Sequence, residues 1–334
     1  DPAPVALDGR ATDDWLADLK TMLLIRVAEE TIADLVLSDE AHCPCHLAIG
    51  QEAVAVGVSA ALRSDDRVFG AHRSHPHYLA LGAGVDELFA EVLGRATGAS
   101  HGMGGSMHLY AGDHGFAGSV PIVAGTIPVA VGAALAAKLQ KRDCIAVAYF
   151  GDGATEEGGF HEAMNFAANF ELPVLFVCEN NLYSSHLDIA LRQPSDRIAR
   201  FADANLMEAR VVDGNNIGDV FRAAQDLVLR CRRGDGPAFL EAITYRWRGH
   251  VGPDENIDVG LRRKAEDLAA WRGHDPIARL RTALEQAGAL DEAGFKDLEA
   301  EVRTCVQTAV ERGRQAPWPA AEALLDTVYA EETS

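Results

Sequence analysis

The chain has 334 residues, 48% of them hydrophobic and 24% charged, the composition of a globular protein with one large α/β domain or two smaller ones. A formal charge of −20 argues against nucleic acid or an anionic membrane as the principal partner, because both select basic patches. No apolar run approaches the length of a membrane span, no signal peptide is visible, and six scattered cysteines fit a reducing cytoplasm better than a disulfide framework.

Residues 1–11 read as an arm. Thr12 is expected to cap a helix running to Leu37, with Asp13 and Asp14 in its first turn, so that residues 1–40 form an N-terminal arm and helix. His42-Cys43-Pro44-Cys45-His46 has metal-ligand residue types but no second pair at finger-like spacing, which argues against structural zinc. His46 to Ala53 (HLAIGQEA) leads into a helix rich in small residues. Arg67 to Gly70 reads as a short strand. A loop from Ala71 to His77 then carries Arg73, a side chain suited to bidentate phosphate binding, together with His72, His75 and His77, the last expected at the surface.

Gly98 to Gly125 is too glycine-rich for a helix and reads as a long functional loop. The small residues of Thr126 to Leu139 then predict a helix packed closely on a sheet.

The chain is organised around Cys144 to Tyr183. Cys144 to Phe150 has the length and composition of a buried strand, and Gly151-Asp152-Gly153 turns sharply after it. Glu156 and Glu157 suit the first turn of a helix whose apolar face is Phe160, Ala163, Met164, Ala167 and Ala168. Leu172-Pro173 ends that helix, and Val174 to Cys178 is a second strand leading into Glu179-Asn180-Asn181. A right-handed crossover makes the two strands parallel and brings Asp152 and Asn181 to their carboxyl ends, where open α/β sheets bind ligands. One carboxylate and one amide oxygen suit Mg²⁺, with a diphosphate completing its shell. Two rival readings fit less well. A dinucleotide fingerprint would set phosphate against bare amides, where Asp152 repels it, and a phosphatase of the haloacid dehalogenase type needs an upstream Asp-x-Asp that is missing.

Further on, Val211 to Asn215 is a strand and turn, Ile217 to Arg232 a helix, and Pro237 to Tyr245 another strand delivering Arg246 to Pro253. Asp275-Pro276 and Asp291 open amphipathic helices, and Ala320 to Tyr329 is a last apolar segment.

GDG, 26 intervening residues and NN resembles the thiamine diphosphate motif. The wording GDGATEEGGFHEAMNFAANFELPVLFVCENN is similar, more narrowly, to the alpha subunit of the decarboxylase component of 2-oxo acid dehydrogenase complexes, a family that includes acetoin dehydrogenase. GQEA, GGSMHLY and the Tyr-Arg-x-x-Gly-His of Tyr245 to His250 agree with it, and the resemblance runs to Val328-Tyr329.

The resemblance implies a thiamine diphosphate-binding fold, a parallel sheet flanked by helices over residues 41–260, with a C-terminal helical extension over 261–334. It implies Mg²⁺ held by Asp152, Asn181 and the main-chain carbonyl of Tyr183. It implies cofactor contacts from Arg73, His72, Gly151, Gly153, Ala154 and Arg246, with the main chain at Ile122 and Val123 bonding the aminopyrimidine. His72 stands where several relatives have tyrosine. His250 on a mobile loop, His46 and His75 inherit catalytic or supporting roles, and Val251 replaces a serine that is regulatory in animal subunits. The glutamate that activates the cofactor comes, in the family, from a separate beta subunit. An α2β2 assembly is therefore expected, passing an acyl group from a 2-oxo acid or acetoin to lipoamide on an acyltransferase. A two-component transketolase-like or acyloin-forming carboligase is the alternative, and a non-catalytic subunit fits poorly with an intact Asp152, Asn181, Arg73 and His250.

Overall fold

The computed structural model describes residues 3–255 and 263–325. Six parallel strands form one sheet: β1 (Arg67–Gly70), β2 (Phe116–Ser119), β3 (Ala146–Gly151), β4 (Val174–Asn180), β7 (Glu208–Asp213) and β8 (Ala238–Ile243), in the order β2-β1-β3-β4-β8-β7. A two-stranded ribbon, β5 (Tyr183–Ser184) and β6 (Leu187–Asp188), follows β4. The helices are α1 (Thr12–Leu37), α2 (Glu52–Ser59), α3 (His75–Ala80), α4 (Val85–Val92), α5 (Thr126–Leu139), α6 (Gly158–Asn169), α7 (Arg200–Ala204), α8 (Ile217–Arg232), α9 (Ala265–Arg272), α10 (Pro276–Gln286) and α11 (Glu292–Gln315).

The strands alternate strictly between two cores, as side chains of a strand must. Val147 and Tyr149 of β3, with Leu175 and Val177 of β4, join a core built with α1, α2, α4, α8, α10 and α11. Ala146, Ala148 and Phe150, with Val174, Phe176 and Cys178, join a second core built with α5, α6 and α7. Helices thus cover both faces, which is why the two central strands read as unbroken apolar runs. Val302, Val306, Ala309 and Val310 of α11 belong to the same cluster as Leu19 and Met22 of α1.

Several local expectations are corrected. Ala11, not Thr12, occupies the cap of α1 and makes no side-chain bond there. A 3₁₀ turn over Asp152–Glu156 precedes α6, so Glu156 and Glu157 lie before that helix rather than in its first turn. The glycine-rich stretch contains β2, paired in parallel with β1. α3 starts at His75 inside the expected loop, and α4 had no anticipated signal. The caps of the last two long helices do form: Asp275 accepts from the Ile277 amide and Asp291 from the Gly294 amide. Of the segment 320–329, Ala321–Leu325 is an exposed 3₁₀ turn, and 326–329, with Val328-Tyr329, lies outside the described residues. Among the described residues no helix is long and apolar enough to cross a membrane.

Candidate active site

The chain reverses direction between β1 and β3: from β1 the sheet grows one way through β2 and the other way through β3 and β4. At such a switch point the loops leaving the carboxyl ends of adjacent strands separate and leave a crevice. A cavity of about 290 Å³ lies there, lined by Ala71, His72 and Arg73 after β1, by Gly151 to Ala154 after β3, and by Asn181 and Tyr183 after β4. His46 and His250 line it from other segments, as do Val123 and Ala124 just before α5.

Asp152 and Asn181 are both buried and line this one cavity. Burial raises the Asp152 pKa above its ordinary value, and the Arg192 guanidinium, paired with the carboxylate, opposes that rise. Asn181 Nδ2 donates to Gln51 Oε1 (3.4 Å), and its Oδ1 accepts weakly from the Tyr183 amide (3.4 Å). Long bonds of this kind leave the amide oxygen available to a cation. Arg73 is buried, donating to the carbonyls of Leu47 and His250, and desolvation drops its pKa to about 10.

Three imidazoles share the cavity: the rings of His46, His72 and His250 have centroids 4.7, 4.9 and 5.3 Å apart. Burial first, then the neighbouring Arg73, lowers their pKa values to about 3 for His46, 2 for His72 and 3 for His250. All three are therefore neutral at physiological pH, each offering one ring nitrogen as a hydrogen-bond acceptor and the other N–H as a donor.

Other expected residues are placed differently. His75 does not line the cavity: it is fully buried, with Nδ1 3.2 Å from Glu29 Oε1 and Nε2 2.8 Å from Ser106 Oγ, so both ring nitrogens are already engaged. Its expected catalytic or supporting contact becomes a structural one. Arg246 also stays off the cavity wall, since its terminal nitrogens bond the carbonyls of Arg248 and Ser185; its Nε is buried without a partner. Ile122 is 70% exposed and its carbonyl accepts from the Gly125 amide, whereas Val123 does line the cavity.

His77, expected at the surface, is 2% exposed; it stacks on Tyr149 (3.8 Å) and bonds Glu179 Oε1 (3.2 Å) within the cavity wall. The segment carrying His250, expected to be a mobile loop, is tied down as far as it is described: the Trp247 amide donates to Ile49 O (2.9 Å) and the Gly252 amide to Cys45 O (2.8 Å).

Sequence reasoning missed Gln51, Glu179 and Arg192. The first two stood inside motifs already quoted, GQEA and ENN, but nothing in their spacing shows that they turn inward. In the HCPCH stretch, His42 pairs with Asp39 at the surface while His46 faces the cavity, so its residue types do not converge on a metal.

The donor set fits magnesium and a diphosphate. Hard oxygen donors from Asp152 and Asn181 face the same space as a buried guanidinium, and Arg246, partnerless at Nε, acts electrostatically on Asp152 and Arg73.

The family described as "Dehydrogenase E1 component" matches residues 19–322. The chain is 37% identical over 308 residues to the alpha subunit of acetoin:2,6-dichlorophenolindophenol oxidoreductase of Bacillus subtilis, covering 92% of this chain and 91% of that one. It is 38% identical over 317 residues to the pyruvate dehydrogenase E1 component subunit alpha of Zymomonas mobilis, covering 95% and 88%. Against the same subunit of Rhizobium meliloti the identity is 35% over 307 residues, covering 92% and 87%.

Proposed function

The chain belongs to the dehydrogenase E1 component family, and on that premise we propose how its residues divide the work of the active site. It is the alpha subunit of a thiamine-diphosphate-dependent enzyme of the 2-oxo acid dehydrogenase type, with Mg²⁺ as the companion metal. The relatives are dehydrogenase subunits, which does not favour the carboligase alternative. The observation that carries the site assignment is the placement of Asp152 and Asn181 at the ends of neighbouring parallel strands, in one cavity with Arg73.

Asp152, Asn181 and the Tyr183 carbonyl would hold Mg²⁺, and Arg73 would neutralise the diphosphate. Arg246 adds positive field from behind. Gly151, Gly153 and Ala154 would let the phosphates approach the backbone closely, and Val123 would border the cofactor's ring end. Bound in this cavity, thiamine diphosphate supplies the nucleophilic carbon and the electron sink for cleaving the bond beside a substrate carbonyl. His250 and His46, neutral and facing the same space, would hydrogen-bond the substrate's carbonyl oxygen, and His72 narrows the wall beside them.

Among the described residues, the carboxylates lining the cavity are Asp152 and Glu179, and each is engaged, with Arg192 and His77. Neither is free to activate the cofactor. That role falls to a glutamate of a beta subunit, as alpha subunits of this family pair with one. Exposed apolar side chains support this pairing: Val123 lines the cavity, Val129 and Leu139 lie along α5 at 54% and 74% exposure, and Phe166 and Phe170 are exposed on and just after α6. An α2β2 assembly and acyl transfer to a lipoyl-bearing partner complete the reading.

Titrating the Asp152→Ala variant with Mg²⁺ and thiamine diphosphate tests it. Binding should be abolished while the unliganded fold persists, and unchanged affinity would remove the metal assignment. The purified chain alone should bind the cofactor without turning over substrate, and full turnover by the lone chain would overturn the shared-site reading.

A further inference from the structure

We propose that His46, His72 and His250 form a second cation site on the wall of this cavity, selective for borderline-soft divalent metals such as Zn²⁺, Co²⁺ or Ni²⁺ over Mg²⁺. The three rings come from three distant parts of the chain: the segment before α2, the loop after β1 and the segment after β8. One ligand nitrogen from each lies within 4.8 Å of the other two. His46 is 8% exposed, and its Nδ1 is buried without a hydrogen-bond partner. A buried imidazole nitrogen left unpaired is costly unless something else occupies it, and a metal is one such occupant.

The chemistry selects the metal. Imidazole nitrogen suits Zn²⁺, Co²⁺, Ni²⁺ and Cu²⁺, whereas Mg²⁺ prefers hard oxygen donors, so excess Mg²⁺ fills Asp152 and Asn181 and leaves the imidazoles to the softer ion. Zn–N bonds of about 2.0–2.1 Å put tetrahedral ligand nitrogens roughly 3.4 Å apart, so nitrogens up to 4.8 Å apart need to draw together by at most about 1.4 Å, within reach of side-chain torsions. Three histidines leave a fourth position open, and a metal held there takes the nitrogens that His46 and His250 otherwise present to substrate, so its binding opposes turnover. The ring of His186, 6.0 Å from His250, is the nearest further imidazole in the cluster.

A metal ligand must be unprotonated, and these three imidazoles already are, so no proton has to leave near neutral pH. The positive field of Arg73, bonded to the His250 carbonyl, opposes the cation and sets its affinity below that of an all-neutral triad. His72 completes the set, since without its imidazole only two nitrogen donors remain.

Co²⁺ titrated into the full chain in excess Mg²⁺ tests the proposal. One bound cobalt should give the intense visible bands of low-coordinate, nitrogen-bound Co²⁺. His72→Phe should weaken that binding at least about a hundredfold, because even outer-shell partners are worth 10- to 100-fold. His250→Gln serves as the second variant if the first fails to fold, and Asp152→Ala should leave the bands in place. Absent bands, bands that persist in the folded His72 or His250 variant, or bands lost with Asp152→Ala would each overturn the proposal.

Discussion

Arg192, which follows the β5–β6 ribbon, reaches back to pair its guanidinium with the Asp152 carboxylate at the end of β3, and it holds Glu156 with its other nitrogen. Both side chains of the Arg192–Asp152 pair are nearly buried, at 5% and 1% exposure. Removing one partner of a buried pair leaves the other charge uncompensated, at a typical cost of about 3–5 kcal/mol. Arg192→Ala should therefore lower the urea midpoint markedly in the absence of metal. Because Asp152 then lacks its built-in cation, added Mg²⁺ should raise the melting temperature more in the variant than in the parent. An equal or smaller rise would show that Arg192 and the metal do not share Asp152.

Glu91 on α4 is fully buried and accepts four backbone amides, those of Ser100, Gly102, Gly104 and Gly105. This one carboxylate organises the glycine-rich loop that carries Ser106 and Met107 toward the cavity. Glu91→Ala should destabilise the chain by about 3–5 kcal/mol, and limited proteolysis should then cut within residues 99–105. Loss of less than about 1 kcal/mol with no new cleavage would mean that the loop holds its shape without it.

Glu29 on α1 is also fully buried, receiving the Ala48 amide and facing His75. Burial raises its pKa above the usual glutamate value, against the lowering by His75 and by the Ala48 amide. A group with a raised folded pKa stabilises the fold below its unfolded pKa and loses that contribution as pH rises through the folded value. The stability of the parent relative to Glu29→Gln should therefore fall as pH increases from about 4.5 upward. Urea midpoints of both proteins across that range give the slope, and a difference that is flat or rising with pH would contradict the assignment.

Gly50 has φ +97°, and a methyl group there would stand 2.5 Å from Trp247 Cδ1 and 2.8 Å from the Tyr245 carbonyl. Gly234 has a similar φ, +80°, with nothing within 4 Å. Gly234→Ala should cost only the left-handed backbone penalty of about 1–2 kcal/mol. Gly50→Ala should cost clearly more and displace the segment bearing His250, seen as weakened binding of thiamine diphosphate. Equal losses at the two glycines would show that the Trp247 contact is not tight.

The sequence alone determined the layout of β3, α6 and β4, the position of Asp152 and Asn181 at the strand ends, and the span of α5 and α8. These are local properties. Buried parallel strands need unbroken apolar runs, helices need a periodic face, and sharp turns need glycine, so each leaves a mark over a few consecutive residues. Tertiary structure alone decided which polar side chains turn inward and whom they meet. His75 and His77 sit two positions apart in similar surroundings, yet one is spent on Glu29 and Ser106 and the other on Glu179 and Tyr149. Glu91, Glu29 and Arg192 looked like ordinary charged residues, because burying a charge is set by a partner that is distant in sequence and close only in the folded chain. The meeting of His46, His72 and His250 belongs to the same class: each was a site candidate in its own motif, but nothing in those motifs says that the rings converge, and the fold of three segments around one switch point brings their nitrogens together.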